Sequence, residues 1–500
     1  QQGTPALVEF AIPQFPIGIR TVSDSIFTRK MGFMREAVPM VASIPFSAHC
    51  VHHSVCRRND TAGMATVHQV VCPFSHFIHH FLNGYARRGN QPQIPSRFLV
   101  PADIGIHFFH EPHHKNIQNK EERKCSKMRI AIEAQRIFRN DKHGMDFVIL
   151  ETLKELQKRK DGNEYYVFVA PGEDRCLEES ENLHIIELRC PTYPLWEQIA
   201  LPQAVRTLKA DLLHCTSNTA PLWCPVPLVL TLHDIIYLEP RQHRSPSFYQ
   251  EMGWHYRRLI VPRILKKARK IITVSQFECT RIREALQLPK EVIKAVYNGY
   301  SAYFTMQETP DESIVQKYIP HPDFLFFLGN TDPKKNAART LKAYALYLQA
   351  SQTKRPLLIA DLKEEYIDQL LQQEGITGIK EHLYYPGYIS NKDLVTLYNA
   401  AFAFLYPSLR ESFGIPMLEA MACGTPVVTS NVSAMPEVAG KGAILVDPQE
   451  PQKIADALLR LENDATFYQQ QVNYSLERVK LFSWKHTAEE YVKIYHSIHQ

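Results

Sequence analysis

The sequence predicts two α/β domains, each built on a parallel β-sheet with helices on both faces. Short apolar segments alternate with helical segments, this alternation occurs twice, and a polar, proline-containing stretch at about 300–322 separates the two series. Continuous apolar strands are typical of parallel sheets, because both faces of such a sheet are buried. A chain of 500 residues is also too long for one core.

Apolar, β-rich segments form each series. In the first they are MRIAIEA, EYYVFVA, LHIIELR, DLLHCTS, PLVLTLHD, KIITVS and VIKAVYNG, and in the second DFLFFLGN, PLLIAD, HLYYPGY, AFAFLYPS, TPVVTSN and AILVDP. Helical patterns between them include 145–159, 194–210, 277–288, 336–350 and 362–373. Ligands of open parallel sheets bind at the carboxyl ends of the strands, so we expect a site in the cleft between the two domains.

Composition narrows the class of protein. A hydrophobic content of 45% and a charged content of 22% are ordinary for a soluble globular protein. No apolar run reaches the roughly 18 residues that suggest a membrane span, and we expect no secretory signal. The ten cysteines are scattered, which favours reduced thiols in a cytoplasmic protein.

Residues 1–126 differ from the rest of the chain. They hold 13 Lys and Arg against 8 Asp and Glu, and 11 of the 22 histidines. The cluster HCVHHSVCRRND (49–60) lacks the regular Cys and His spacing of zinc sites, so no metal site is expected. We predict a poorly structured, non-catalytic extension. A truncated protein that begins at Met128 tests this prediction, which loss of folding or turnover would contradict.

The segment RESFGIPMLEAMACGTPVV (410–428) follows the predicted strand AFAFLYPS. Residues 408–413 form a loop at the carboxyl end of that strand, and Gly414 permits close approach of a ligand to the backbone. Pro416 suits the first helical position, and Gly424 is a natural helix stop. This pattern predicts a helix N-terminus that faces the cleft.

Two carboxylates and three amides mark this helix as a binding site. Phe413, Gly414 and Ile415 supply backbone amides that suit a phosphate. Glu411 lies in the loop, whereas Glu419 lies within an almost wholly apolar helix. A charge buried there is costly unless it is hydrogen-bonded, and ribose hydroxyls would supply that bonding.

This stretch resembles the E-x7-E signature of glycosyltransferase family 4, whose members are retaining enzymes with the GT-B fold. The resemblance covers nearly all of 128–500 and includes the segments TLHD (231–234), VSQFE (274–278), VYNG (296–299), FLGNTDPKKN (327–336), PGYI (386–389), YPSLRESFG (406–414) and SAMPEVAG with ILVDP (433–448). It implies that 127–300 binds the acceptor and 301–483 the nucleotide sugar, and that a final helix at 484–500 packs back on the first domain.

The resemblance also implies roles for individual residues of the second domain. Lys335 would reach the diphosphate and neutralise the leaving group, and Glu411 would contact the transferred sugar. Many family members carry an arginine where this chain has Asn330, so more of the charge burden falls on Lys335 or Arg410. Tyr388 and Ile389 would lie beside the nucleobase.

In the first domain the resemblance implies two further contacts with the donor. Gly144 would let the backbone approach the donor phosphates, although a pair of glycines is common in the family. His233 in TLHD would contact the transferred sugar. Together with Glu411 and Lys335, His233 completes the predicted catalytic set.

The basic stretch YRRLIVPRILKKARK (256–270) has two interpretations. It is either a domain helix with a solvated basic face or a segment that contacts an anionic membrane surface. The second interpretation suits a lipid-linked acceptor and a peripheral position at the inner face of the membrane.

The sequence thus predicts a glycosyltransferase that uses GDP-mannose or a UDP-sugar, without a cofactor or metal, and acts on a glycan or lipid-linked acceptor. Nucleic acid is not an expected partner. A sugar-nucleotide epimerase of similar fold and a non-catalytic GT-B binding protein remain the alternatives.

Overall fold

Two parallel β-sheets organise the part of the chain that the structure, a computed structural model, describes: residues 127–238 and 248–499. The prediction for residues 1–126 lies outside these ranges. The described residues belong to one compact unit. The prediction of two α/β domains, each built on a parallel sheet, is confirmed.

The first sheet has the strand order β3-β2-β1-β4-β5-β6-β7, with every neighbouring pair parallel. The strands β4 and β5 are buried along their whole length, which explains why most of their residues are apolar. The bounds are β1 Arg129–Glu133, β2 Glu164–Val169, β3 Leu183–Glu187, β4 Leu212–Cys215, β5 Leu228–Thr231, β6 Lys270–Thr273 and β7 Ile293–Ala295.

The second sheet has the order β10-β9-β8-β11-β12-β13, again all parallel. In both sheets the strand order reverses after the first strand of the series, between β1 and β4 and between β8 and β11, and ligands bind at such reversals. The bounds are β8 Phe324–Leu328, β9 Leu357–Ala360, β10 Leu383–Gly387, β11 Ala401–Tyr406, β12 Val427–Ser430 and β13 Ile444–Val446.

Helices cover both faces of each sheet. Those of the first domain are α1 Gly144–Gln157, α2 Leu201–Leu208, α3 Phe248–Ile264 and α4 Gln276–Leu286. The linker and second domain contain α5 Glu312–Tyr318, α6 Ala337–Ala350, α7 Glu364–Gln373, α8 Asn391–Ala400, α9 Ile415–Ala422, α10 Met435–Ala439, α11 Pro451–Asn463 and α12 Ala465–Val479, and α13 Trp484–His499 ends the described chain.

The helix predicted over 194–210 is present from Tyr193 to Leu208, but its geometry is not uniform. A short turn at Tyr193–Leu195 leads into a π-helical turn at Trp196–Ala200, and α2 follows. The π turn places the buried carboxylate of Glu197 among hydroxyl groups, where Tyr193 donates to it at 2.7 Å and Thr219 and Tyr256 also donate. Thr219 and Tyr256 are distant in the sequence, so the local pattern does not reveal this irregular turn.

The basic stretch 256–270 is not a single helix either. Helix α3 ends at Ile264, and Lys270 already begins β6. Ile260, Ile264 and Leu265 pack in the core of the first domain, so they supply no apolar surface to a membrane. None of the helices in the described ranges combines the length and apolarity needed to cross a membrane.

The last helix, α13, packs against α1 of the first domain. Its Tyr495 hydroxyl lies 2.7 Å from Nδ1 of His214, a buried residue of β4. Thr487 donates a hydrogen bond to the carbonyl of Tyr297 at 2.7 Å. A Cβ atom on Gly299 would lie 2.2 Å from the Trp484 nitrogen, so the glycine of VYNG makes room for the start of this helix.

Candidate active site

His233 lies just beyond the carboxyl end of β5. Its side chain is buried, and Nε2 lies 3.0 Å from the carbonyl oxygen of Thr216. Burial lowers the pKa of His233, so the ring is neutral near pH 7. We assign the proton to Nε2 because that atom faces a carbonyl acceptor, which leaves Nδ1 as the acceptor of the ring.

Gly144 is the first residue of α1. The helix begins with a capping box in which the amide of His143 donates to Asp146 at 2.9 Å, and Asp146 also pairs with Arg136 at 3.2 Å. A Cβ atom on Gly144 would meet no other atom within 4 Å. Packing within the chain therefore does not demand glycine here, whereas close approach of a ligand would. Asp146 and Arg136 both act on the pKa of His233, so this helix start and His233 share one neighbourhood.

Lys335 and Glu411 face each other across the strand reversal of the second sheet. Lys335 follows β8, Glu411 follows β11, and Nζ lies 2.7 Å from Oε1. The ammonium group also lies 3.2 Å from the Tyr406 hydroxyl and 5.0 Å from the centre of that ring. Both charged side chains are more than four-fifths buried. Lys335, which is predicted to bind the diphosphate, and Glu411, which is predicted to bind the sugar, are thus paired with each other in this structure.

Hydrogen bonds between loops fix the geometry of this pair. The side-chain amide of Asn336 donates to the carbonyls of Pro407 at 2.9 Å and Pro448 at 2.7 Å, and so joins three strand-end loops. The hydroxyl of Ser433 accepts from the Glu411 amide at 2.9 Å and donates to the Glu411 carbonyl at 2.6 Å. The backbone of Glu411 is therefore held on both sides of its side chain.

Helix α9 begins immediately after this loop, with Gly414 at its N-cap. Gly414 has a φ of 95°, and an added Cβ would lie 2.6 Å from Cε of Met435, so glycine is required here. The helix starts at Ile415, which makes Pro416 its second residue. The Phe413 ring packs between Tyr297 and Phe482, which anchors the helix start. Amides in the first turn of a helix have no acceptor within it.

Glu419 occupies the second turn of α9. Met417, Leu418, Ala420 and Met421 around it are buried, whereas the Glu419 side chain keeps a partial opening to solvent. Burial alone raises the pKa of Glu419 to about 8. The carboxyl group is therefore mostly protonated at neutral pH in the unliganded chain.

Tyr388 and Ile389, predicted beside the nucleobase, differ from each other in burial, and Asn330 stands where many family members carry an arginine. Tyr388 is 76% exposed and follows β10, but Ile389 is buried in the core of the second domain. The Ile389 side chain therefore packs within the protein, and its backbone is what remains for a base contact. Asn330 is exposed, and its side chain accepts from the Asp332 amide at 2.9 Å in a local turn.

Arg410 makes an ion pair that crosses from the second domain to the first. Its Nη2 lies 2.6 Å from Oε1 of Glu278, a fully buried residue of α4. Its other guanidinium nitrogens have no hydrogen-bond partner. Within the described ranges, no group of three or more His, Cys, Asp or Glu side chains is placed to hold a metal ion.

Comparison with known proteins identifies the family. Residues 143–302 match the family described as Glycosyltransferase Family 4, and residues 311–478 match Glycosyl transferases group 1. The chain is 32% identical over 273 residues to O-antigen chain mannosyltransferase B of Escherichia coli, which covers 53% of this chain and 69% of that protein. The chain belongs to glycosyltransferase family 4.

Further relatives of this glycosyltransferase are more distant or longer. The serotype-specific mannosyltransferase WbdA of Escherichia coli is 27% identical over 271 residues, which covers 53% of this chain but only 32% of WbdA. The solved structure of Anabaena HepE in complex with UDP-glucose has a TM-score of 0.56 at 20% identity, covering 74% of this chain and all of HepE. WaaG, a glycosyltransferase involved in lipopolysaccharide biosynthesis, has a TM-score of 0.55 at 14% identity, covering 73% of this chain and 99% of WaaG. At these identities the two structures show the shared fold.

The structure also places near this site three residues that the sequence did not single out. Tyr406, Asn336 and Ser433 surround the Lys335–Glu411 pair. Each follows or ends a predicted strand of the second sheet and lies in a segment that resembles the family, and these two signals could have identified them. Glu278 lies in VSQFE, which also resembles the family, but its partner lies in the other domain and no local pattern indicated the contact.

Proposed function

We propose that this glycosyltransferase transfers a mannosyl residue from GDP-mannose to a hydroxyl group of a glycan or lipid-linked glycan, with retention of the anomeric configuration. The names of its relatives, O-antigen and serotype-specific mannosyltransferases, support the sugar and the acceptor class. A UDP-sugar is the competing donor.

The observation that carries this proposal is the 2.7 Å pair of Lys335 and Glu411 beside the start of α9. Lys335 and the amides at Gly414 and Ile415 provide positive charge for a diphosphate. When the diphosphate binds Lys335, the carboxylate of Glu411 becomes available to the hydroxyl groups of the attached sugar. One ion pair thus provides both halves of a nucleotide-sugar site.

Transfer needs no protein nucleophile on this proposal. The acceptor oxygen forms a bond to the anomeric carbon while the bond from that carbon to the diphosphate oxygen breaks, and the acceptor proton moves to a phosphate oxygen of the leaving group. Lys335 stabilises the negative charge that develops on the diphosphate. Glu411 and His233 orient the sugar, and orientation of the reacting atoms can supply a large part of the rate.

We also propose that turnover requires no metal ion, because Lys335 and the α9 amides supply the charge that a cation would otherwise bring. Turnover should then be unchanged after dialysis against EDTA. Loss of turnover with EDTA that Mn²⁺ restores would contradict this part of the proposal.

Peripheral contact with an anionic membrane is a further part of the proposed function. Trp223, Ile199 and Met252 are each at least half exposed on the first domain. Lys267 donates to the carbonyl of Leu222 and so joins the end of α3 to the loop that carries Trp223. Exposed aromatic and basic side chains together suit a headgroup layer. Flotation with anionic vesicles at low salt should recover the chain, and Trp223→Ser should reduce recovery. No recovery would contradict membrane contact.

A thermal-shift comparison of nucleotide sugars tests the donor. A ligand present at 100 times its Kd stabilises a protein by about 2.7 kcal/mol, so GDP-mannose should raise Tm more than UDP-glucose does. Incubation with donor alone should leave the sugar unchanged, and added acceptor should consume it. Conversion of the donor without acceptor would instead indicate an epimerase.

A further inference from the structure

The first turn of α4 is the point where the first domain touches the loop of Glu411. Glu278, the third residue of α4, is completely buried, and its carboxylate pairs with the Arg410 guanidinium at 2.6 Å. The guanidinium also lies over the Phe277 ring, 5.1 Å from its centre. Arg410 directly precedes Glu411, so this pair fixes the backbone on one side of the predicted sugar ligand.

A second contact reaches the same turn from the other direction. Glu437, in the first turn of α10, accepts hydrogen bonds from the amides of Gln276 at 2.6 Å and Phe277 at 2.8 Å. A carboxylate at a helix N-terminus is stabilised by the amides and the helix dipole. Glu437 stands four residues after Ser433, whose hydroxyl holds the Glu411 amide and carbonyl. Both connections from α4 therefore end at the backbone of Glu411.

Burying the Glu278–Arg410 pair is costly. Removing a carboxylate and a guanidinium from water carries a desolvation penalty of several kcal/mol per ion, and apolar residues of similar size often give equal or greater stability. The Glu278 oxygens have no hydrogen-bond partner besides this ion pair. Stability is therefore a weak explanation for this buried pair. Because the pair lies next to Glu411, we consider a role in positioning that residue.

We propose that Glu278 is a positioning residue for the sugar-transfer step. It holds Arg410, so that the Glu411 carboxylate takes its reactive position only when the first turn of α4 is docked on the second domain. This inference rests on the proposed function, since it concerns the same site. Arg410 on this view is held by the first domain, and its contribution to nucleotide affinity is small.

The test compares Glu278→Gln, Arg410→Gln and the double variant. Glu278→Gln should lower kcat about 10- to 100-fold, in line with the cost of a small misplacement at a reacting centre. Its affinity for GDP, measured by calorimetry, should stay within about twofold of the native value, because Lys335 and Glu419 lie in the second domain. If the pair acts as one unit, the double variant should be no slower than the slower single variant.

Arg355→Gln is the matched control. Arg355 pairs with Glu462 at 2.8 Å inside the second domain, with both side chains similarly buried. Its loss should lower Tm and leave kcat unchanged. Should Glu278→Gln fail to fold, Arg410→Lys replaces it, since it keeps the charge but loses the planar fork, and the same fall in kcat is expected.

If the native chain is active and folded Glu278→Gln or Arg410→Lys has the same kcat, this inference is overturned, whereas the proposed function is not. Weaker GDP binding with unchanged kcat would also overturn it, because Arg410 would then serve as a nucleotide ligand. Absence of turnover in the native chain with every nucleotide sugar would instead reject the proposed function.

Discussion

Lys335 and Glu411 form a largely buried ion pair at the strand reversal of the second sheet, with 2.7 Å between Nζ and Oε1. The lysine that would bind a diphosphate is therefore already neutralised by the carboxylate that would bind the sugar. A nucleotide must compete with Glu411 for this ammonium group. The two side chains should consequently have opposite effects on the affinity for a nucleoside diphosphate.

Lys335→Gln should weaken GDP binding about 10- to 150-fold, the equivalent of 1.5–3 kcal/mol for a hydrogen bond to a charged group. Glu411→Gln should strengthen GDP binding, because it removes the competing carboxylate while GDP carries no sugar that needs it. Calorimetric titration measures both. Asp323→Asn, which alters an ion pair with Arg355 elsewhere in the second domain, should leave the Kd unchanged. Weaker GDP binding by Glu411→Gln would refute the competition.

Glu419 and Glu411 should differ in the kinetic step that each affects. Glu419→Ala removes a contact with the ribose that exists before and during transfer, so the donor KM should rise about 10- to 150-fold with kcat less affected. Glu411→Ala removes orientation at the reacting centre and should mainly lower kcat. Steady-state kinetics with varied donor measure both effects. Equal rises in KM with unchanged kcat in both variants would contradict this division.

Donor binding should release protons near neutral pH. Burial raises the pKa of Glu419 to about 8 in the unliganded chain, and ribose hydroxyls that donate to the carboxylate favour its charged form. Affinity for GDP-mannose should therefore increase as pH rises towards 8. Calorimetry at pH 7 in two buffers of different ionisation enthalpy measures the released protons, and Glu419→Gln should abolish the release. Native binding without proton release would argue against a ribose contact at Glu419.

The same pKa shift has a consequence for folding. An unfolded glutamate ionises from about pH 4.5, whereas Glu419 in the folded chain resists ionisation until about pH 8. The contribution of Glu419 to the free energy of unfolding should thus decline as pH rises through this interval. Glu419→Gln should lack this decline. Urea titrations at several pH values would then show a smaller dependence of its free energy of unfolding on pH than in the native chain.

The final helix should depend on the buried contact of Tyr495 with His214. Tyr495→Phe leaves Nδ1 of His214 without its 2.7 Å partner and should lower the free energy of unfolding by about 1–3 kcal/mol. Urea denaturation measures this, with Tyr474→Phe as the control, since the Tyr474 hydroxyl lies at an exposed position 3.2 Å from Gln470. A loss equal to that of the control would contradict the role of the contact.

His214 also predicts an acid limit to stability. Burial lowers its pKa to about 3 from the usual 6.5. As pH falls below 6.5, His214 therefore binds a proton in the unfolded chain but not in the folded chain. The contribution of His214 to the free energy of unfolding should thus decline progressively towards pH 3. The opposing change at Glu419 is absent from Glu419→Gln, so in that variant a urea midpoint that did not fall between pH 6.5 and 5 would contradict this.

Much of the fold could be predicted because parallel strands leave a strong local pattern. Segments such as β8 and β9 are apolar throughout, and the helices around 336–350 and 362–373 begin within two residues of their predicted starts. The π-helical turn at Trp196–Ala200 was not predicted, because hydroxyl groups from distant segments, those of Thr219 and Tyr256, hold its buried Glu197. The shorter helix within 256–270 was missed because basic residues occur on both sides of its end and into β6.

The site could be predicted where a motif places a residue at the end of a strand. Lys335, Glu411 and Gly414 were identified in this way, and the structure brings them together. Arg410 was located by the same motif, but its partner Glu278 belongs to a distant helix in the other domain. Long-range ion pairs leave no local pattern, and for that reason the connection from α4 to Glu411 required the structure.

The stereochemistry of the product tests the proposed transfer most directly. The folded chain should be incubated with GDP-mannose, in which the mannose is α-linked, and an O-antigen type glycan acceptor, and the new linkage should be examined by NMR. Retention at the site of Lys335 and Glu411 predicts an α-mannosyl product. A β-mannosyl product, or a folded chain that binds GDP-mannose and transfers nothing to the acceptor, would contradict it.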